Sequence, residues 1–164
     1  MATEAKRVEA VRQILIQLYM LIDAGIPAAR ITRIEREAIF FLYEAEGGKF
    51  PVSRPHSLAA RALRQAGGGR IPQSEVTYDH AVPLATLRPL LRTAVSSLEA
   101  FTDFLKRYVQ GVVITRDEDK LLNDAGWRSA MPGDKGPDDL MARYERAGIV
   151  FGPEDEAQLR RNSN

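Results

Sequence analysis

Only two histidines occur in the 164 residues, His56 and His80, so any imidazole chemistry falls to one of them. His80 stands in "SEVTYDHAVPL", directly after Asp79 and shortly before Pro83. An adjacent carboxylate and imidazole can hold a hard cation through oxygen and take a proton from water near neutral pH. The same pair can instead only close a strand, the aspartate accepting turn or cap bonds and the imidazole sitting half-buried and satisfied. His56 lies in "SRPHS", where the neighbouring proline favours a loop or cap role. Cysteine is absent, which excludes disulfides, zinc–thiolate sites, iron–sulfur clusters and thiol nucleophiles. Any metal must therefore be held by oxygen or imidazole.

Charge narrows the partners little. Lys and Arg outnumber Asp and Glu by 23 to 22, a net charge of +1, which is neither the basic balance of a typical nucleic-acid binder nor the acidic balance of a nucleic-acid mimic. Arg54, Arg61, Arg64 and Arg70 form a basic stretch, and Asp117, Glu118 and Asp119 an acidic one, as do Asp134, Asp138 and Asp139; each cluster also reads as a solvated face. The opening "MATEAKRVEAVRQ" lacks the apolar centre of a secretory leader, and no apolar run reaches the ~18 residues of a membrane span. The expectation is a soluble cytoplasmic protein without a membrane partner.

The elements that must position the pair follow from periodicity. Val8, Val11, Leu15, Leu18 and Ile22 form one helical stripe over Thr3 to Ala24, with Thr3 as cap and Gly25 as stop. A second helix over about Ala29 to Glu46 carries Ile31, Ile34, Ala38, Leu42 and Ala45 on one face, widened by Ile39, Phe40, Phe41 and Tyr43. Ser57 caps "LAARALRQA", which Gly67 to Gly69 terminate. The period then drops to two, placing Val76, Tyr78 and His80 on one side of a strand and Thr77, Asp79 and Ala81 on the other.

Pro83 opens "PLATLRPLL", which Pro89 should kink or end early. Ser96 with Glu99 reads as a capping box for a helix that turns Leu98, Phe101, Leu105 and Tyr108 inward. "VVIT" reads as a buried strand, and Thr115 with Glu118 as a second capping box opening "DEDKLLNDA". A loop around the sole tryptophan, Trp127, leads to the helix "DLMARYERA", ended by Gly148, and to "IVF" as a candidate third strand; the residues after Pro153 are expected to fray.

"YDHAVPL" followed by "VVITRDEDKLLND" resembles the two halves of an HNH nuclease motif. That family's ββα-metal unit has a first strand ending in an acid–His or His–His pair, a second strand, and a helix carrying another ligand; the pattern is also similar to the HNH domain of RNA-guided CRISPR effectors. The resemblance implies His80 as general base, Asp79 as metal ligand, and Asp119 as the helix ligand, for a Mg²⁺ or Mn²⁺ ion that neutralises charge building on a phosphodiester. Glu118 competes with Asp119, because a helical wheel puts Glu118 at the centre of the arc of Leu121, Leu122 and Ala125, while its capping-box role would occupy it otherwise. A one-residue shift would bring Lys120 to the ligand position. Arg116, Lys120 and Arg128 are the implied phosphate contacts. The family's orienting asparagine has no counterpart in "GVVIT", and the strands are separated by more than a hairpin connection.

The expected fold class is α+β, a mostly helical single domain with a small ββα-metal-like unit: an N-terminal helical layer over residues 1–66, an HNH-like unit with a helical insertion over 74–129, and a C-terminal loop and helix over 130–164. The expected function is metal-dependent hydrolysis of nucleic-acid phosphodiesters, with DNA as partner. The alternative is a non-catalytic inhibitor or regulator, of the phage or mobile-element type, that binds another protein on a degenerate HNH-like scaffold.

Overall fold

The computed structural model describes residues 3–42 and 49–161. The protein is mostly helical with one small antiparallel sheet, an α+β fold. Its elements are α1 (Glu4–Asp23), α2 (Ala28–Arg36) continued by a π-helical turn (Glu37–Leu42), α3 (Leu58–Ala66), β1 (Val76–His80), α4 (Leu84–Ala94), α5 (Leu98–Tyr108), β2 (Gly111–Thr115), α6 (Arg116–Asp124), α7 (Ala142–Ala147) and α8 (Pro153–Arg161). Contacts divide the chain into two compact units, Met1–Gly48 with Arg88–Lys106, and Lys49–Leu87 with Arg107–Asn164.

In the first unit α1 buries Val8, Val11, Leu15, Leu18 and Tyr19, the expected stripe with Tyr19 added and Ile22 only half-buried. Thr3 accepts from the Lys6 N–H at 3.4 Å, and Gly25 takes φ +95° beyond the helix, a conformation that favours glycine. The second helix departs from expectation. Regular α-helix ends at Arg36, and the wider π turn changes the phase, so Ala38, Ile39 and Phe40 are all buried while Ile34, placed inward by periodicity, is 51% exposed. Glu35 occupies the buried position instead. It is fully enclosed, accepting from the Tyr19 hydroxyl at 2.9 Å and from Arg88 Nη2 and Nε at 2.7 and 3.0 Å. The expected continuation to Glu46 falls on 43–46, outside the described residues.

Pro89 does not end α4, which runs on to Ala94. Leu87 and Leu91 on either side of it are fully buried, and that packing outweighs the single backbone bond a proline removes. Helix α5 begins one residue later than the Ser96 box implied: Ser97 caps it, accepting from the Ala100 N–H at 3.1 Å. The inward face accordingly is Phe101, Phe104 and Leu105, with Leu98 exposed.

The second unit is built on the sheet. β1 and β2 pair antiparallel with Val76 opposite Thr115, Tyr78 opposite Val113 and His80 opposite Gly111. The backbone of Pro55 to Ser57 lines the other edge of β2: the Val113 N–H donates to the Pro55 carbonyl at 2.9 Å and the Ser57 N–H to the Val113 carbonyl at 3.0 Å. His56 forms an isolated parallel bridge with Val113 and Ser57 an isolated antiparallel bridge with Phe151; "IVF" makes no third strand among the described residues, and the sheet has two. Ala60 of α3 packs on Val76 and Val113, with Phe50, Leu63 and Ile71 around them. Gly111 is required: a Cβ there would meet the Tyr78 ring at 2.2 Å.

The described part of the segment after Pro153, to Arg161, does not fray; 162–164 lie outside the described residues. That part forms α8, with Leu159 fully buried and Asp155 nearly so. Asp155 accepts from Arg61 Nε and Nη2 at 2.5 and 2.7 Å, so an ion pair with α3 and one leucine hold a helix that its polar sequence alone would not.

Candidate functional site

Strand alternation separates the acid–His pair. His80 lies on the side of β1 shared with Tyr78, their rings edge-to-face at 4.9 Å, and the Arg54 guanidinium sits over the Tyr78 ring at 4.6 Å. The Nε2 atom of His80 is enclosed by protein. His56 lies in the same cross-sheet row as Val113 and Tyr78, so both histidines lie on that side of the sheet. His56 is buried: its Nδ1 lies 2.6 Å from the Arg54 carbonyl and its Nε2 3.1 Å from Arg64 Nη2. With Nδ1 donating and Nε2 accepting, this is the neutral ring, and burial with the Arg64 and Arg61 charges holds its pKa below the usual histidine value. His56 is therefore an ordered part of the sheet edge, and more than a loop or cap residue.

Asp79 faces the opposite way, toward α7. Its Oδ2 accepts from the Tyr144 hydroxyl at 2.7 Å and from Arg143 Nη1 at 3.2 Å. Arg143 is fully buried and uses its whole fork: Nη1 also donates to the His80 carbonyl at 2.5 Å, Nε to the Trp127 carbonyl at 2.6 Å, and Nη2 to the Arg128 carbonyl at 3.4 Å. Burial pushes the Asp79 carboxyl above the usual aspartate value and the nearby Asp119 charge adds to this; Arg143 and Tyr144 pull the other way.

Helix α6 follows β2 without a gap, which sets the helix acids against the strand. Its capping box is fully formed: Thr115 Oγ1 accepts from the Glu118 N–H at 3.2 Å, and Glu118 Oε2 accepts from the Thr115 N–H at 2.8 Å. The Ser57 hydroxyl donates to the same Oε2 at 2.6 Å. Glu118 is thus committed to the fold, while Asp119, half-buried one position on, is the helix acid whose charge reaches Asp79.

The Asp119 charge acts on Asp79 from the following helix, more weakly than burial and Arg143 do, while His80 lies on the other side of the strand. The three basic residues are dispersed in their engagements. Arg116 Nε donates to the Ser74 carbonyl at 2.5 Å, Lys120 pairs with Asp124 at 2.5 Å in open solvent, and Arg128 is exposed with its carbonyl held by Arg143. Asp79 and Asp119 make a two-carboxylate set; Arg143 and Tyr144 both bond Oδ2 of Asp79, which leaves Oδ1 outside those bonds. Two carboxylates are fewer than the six or more oxygen positions of a hard cation. Among the described residues no group of three or more His, Cys, Asp or Glu gathers to hold a metal alone.

Sequence reasoning missed Arg143 and Tyr144. The available signal was "MARYERA", an arginine and tyrosine side by side in a short helix otherwise rich in small and apolar residues; a buried arginine needs a carboxylate partner, and Asp79 was a candidate. Fold and site together define a ββα unit within a mostly helical α+β protein. No family model matches the chain, and no curated protein or solved structure matches it either. No described helix is long and apolar enough to cross a membrane.

Proposed function

We propose that the β1–β2–α6 unit is an HNH-like site for metal-dependent hydrolysis of nucleic-acid phosphodiesters. The observation that carries the reading is the antiparallel β1–β2 pair followed directly by α6, with Asp79 near the end of β1 and Asp119 on α6. Asp79 and Asp119 would hold one divalent ion, Mg²⁺ or Mn²⁺, which supplies charge neutralisation at the phosphate. His80, the last residue of β1, would be the proton acceptor of this reading, which requires its ring to leave the side of β1 that it shares with Tyr78. Arg116, Lys120 and Arg128, all exposed, are the cations this reading offers to a phosphate.

A second reading, a non-catalytic scaffold that binds another protein, is favoured by a different observation. Asp79 already neutralises a buried arginine, and His80 packs against Tyr78 with Nε2 enclosed. One experiment separates the two. Purified protein with Mn²⁺ or Mg²⁺ is incubated with supercoiled plasmid, beside His80→Ala and Asp119→Asn matched for folding by circular dichroism. Hydrolysis predicts nicking that both substitutions abolish. Nicking of equal rate in the wild type and both variants marks a contaminating nuclease, and the absence of nicking together with no Mn²⁺ uptake in calorimetry supports the scaffold.

A further inference from the structure

Arg143 is a fully buried cation whose bonds are distributed in an unusual way. One guanidinium reaches the Asp79 side chain, the His80 backbone and, through Nε and Nη2, the carbonyls of Trp127 and Arg128. These groups come from two segments far apart in sequence, the end of β1 and the loop after α6, and Arg143 itself comes from a third. The first two segments each hold a residue that the hydrolytic reading uses. The neighbouring Tyr144, also fully buried, donates to the same Asp79 Oδ2, so both donors grip one carboxylate oxygen. A helix of six residues, α7, has too little hydrogen bonding of its own to be rigid; Arg143 and Tyr144 tie it to the sheet.

We infer that Arg143 and Tyr144 are positioning residues: Arg143 holds the β1 terminus and the Trp127–Arg128 loop in fixed relation, and Tyr144 fixes the orientation of the Asp79 carboxylate. The functional half of this inference rests on the hydrolytic reading; the clamp itself does not. A lysine at 143 keeps the charge but replaces a planar fork by a single point donor, so it can satisfy Asp79 or the loop carbonyls and not all of them. Tyr144→Phe removes one hydroxyl and leaves the ring, which packs edge-to-face on Phe151 at 5.2 Å.

The test uses the full chain and two readouts. Trp127 is the sole tryptophan, so its emission and its acrylamide quenching report the loop without reference to activity. Arg143→Lys, folded by circular dichroism, is expected to shift Trp127 emission to the red and raise its quenching constant about twofold, as the loop loses its anchor. In Mn²⁺-dependent nicking the same variant is expected to lower kcat on the order of tenfold to a hundredfold with KM within about twofold, the pattern of a misplaced reacting group. Tyr144→Phe is expected to lower kcat severalfold while leaving Trp127 unchanged. Unmoved Trp127 signals in folded Arg143→Lys overturn the clamp, whatever the wild type does to DNA. A wild type that does not nick DNA overturns the hydrolytic reading, and Trp127 alone then decides the clamp. Wild-type nicking with unaltered kcat in both variants overturns the positioning role. Should Arg143→Lys fail to fold, Tyr144→Phe carries the kcat comparison, and an unchanged kcat there overturns the assignment of Tyr144.

Discussion

The Ser57 hydroxyl donates to Glu118 Oε2 at 2.6 Å, joining the cap of α3 to the cap of α6 across 61 positions of sequence. The same serine oxygen accepts from the Ala60 N–H at 3.1 Å, and the same carboxylate oxygen accepts from the Thr115 N–H at 2.8 Å. One short chain of bonds thus closes two helix N-termini and pins both to the β2 edge. Glu118 therefore has donors to satisfy within the fold.

Glu118→Ala is expected to lower stability by about 1–3 kcal/mol, the worth of a helix cap plus a hydroxyl left without its acceptor. Chemical denaturation followed by circular dichroism measures it. Nicking by the folded fraction should persist at the wild-type rate. A stable Glu118→Ala protein that has lost Mn²⁺-dependent nicking would move the helix ligand from Asp119 to Glu118.

The buried Glu35 offers a second measurement, confined to the first unit. Arg88→Met leaves Glu35 enclosed with only Tyr19 as donor. Loss of one partner from a fully buried pair costs about 3–5 kcal/mol, but the Arg88 side chain keeps 31% of its exposure, so a loss of about 2–3 kcal/mol is expected. Glu35→Leu combined with Arg88→Met should cost less than the sum of the single changes, because neither charge is then stranded. Additive losses in denaturant melts would mean that the two side chains do not act as a pair.

His56 makes stability depend on pH. Its folded pKa lies below the ordinary value, chiefly because it is buried and also because Arg64 and Arg61 stand nearby. The folded state therefore prefers the neutral ring. The contribution is complete above the unfolded pKa of about 6.5 and is lost as pH falls through the lower folded value. Melting temperature is expected to decline on acidification from about pH 7.5 to pH 5, and His56→Gln should show a shallower decline over that range. A slope identical in the two proteins would remove His56 as its source.

Much of the local structure was legible in the residues, since it depends on neighbours within one turn. The stripe of α1, the Thr3, Ser57 and Thr115 caps, the stop at Gly25, and the alternation of β1 all follow from spacing and from side chains that bond their own backbone. Where such rules failed, a distant residue had intervened. Arg88 and Tyr19 drew Glu35 inward and turned Ile34 out, Leu87 and Leu91 carried α4 past Pro89, and Arg61 with buried Leu159 ordered α8.

The candidate site divides along the same line. Its parts could be named from the sequence: Asp79 and His80 at a strand end, acids on the next helix, and the opposite facing of the pair, which the period of two dictates. Only the tertiary structure decided how each is used. Glu118 was withdrawn into a cap by Ser57, Asp79 was bound on one oxygen by Arg143 and Tyr144, and His80 was set edge-on to Tyr78. The physical reason is that periodicity fixes where a side chain points along its own element, whereas the partner of a buried charge is whichever opposite charge the packing delivers, and that can stand 64 positions away, as Arg143 does from Asp79.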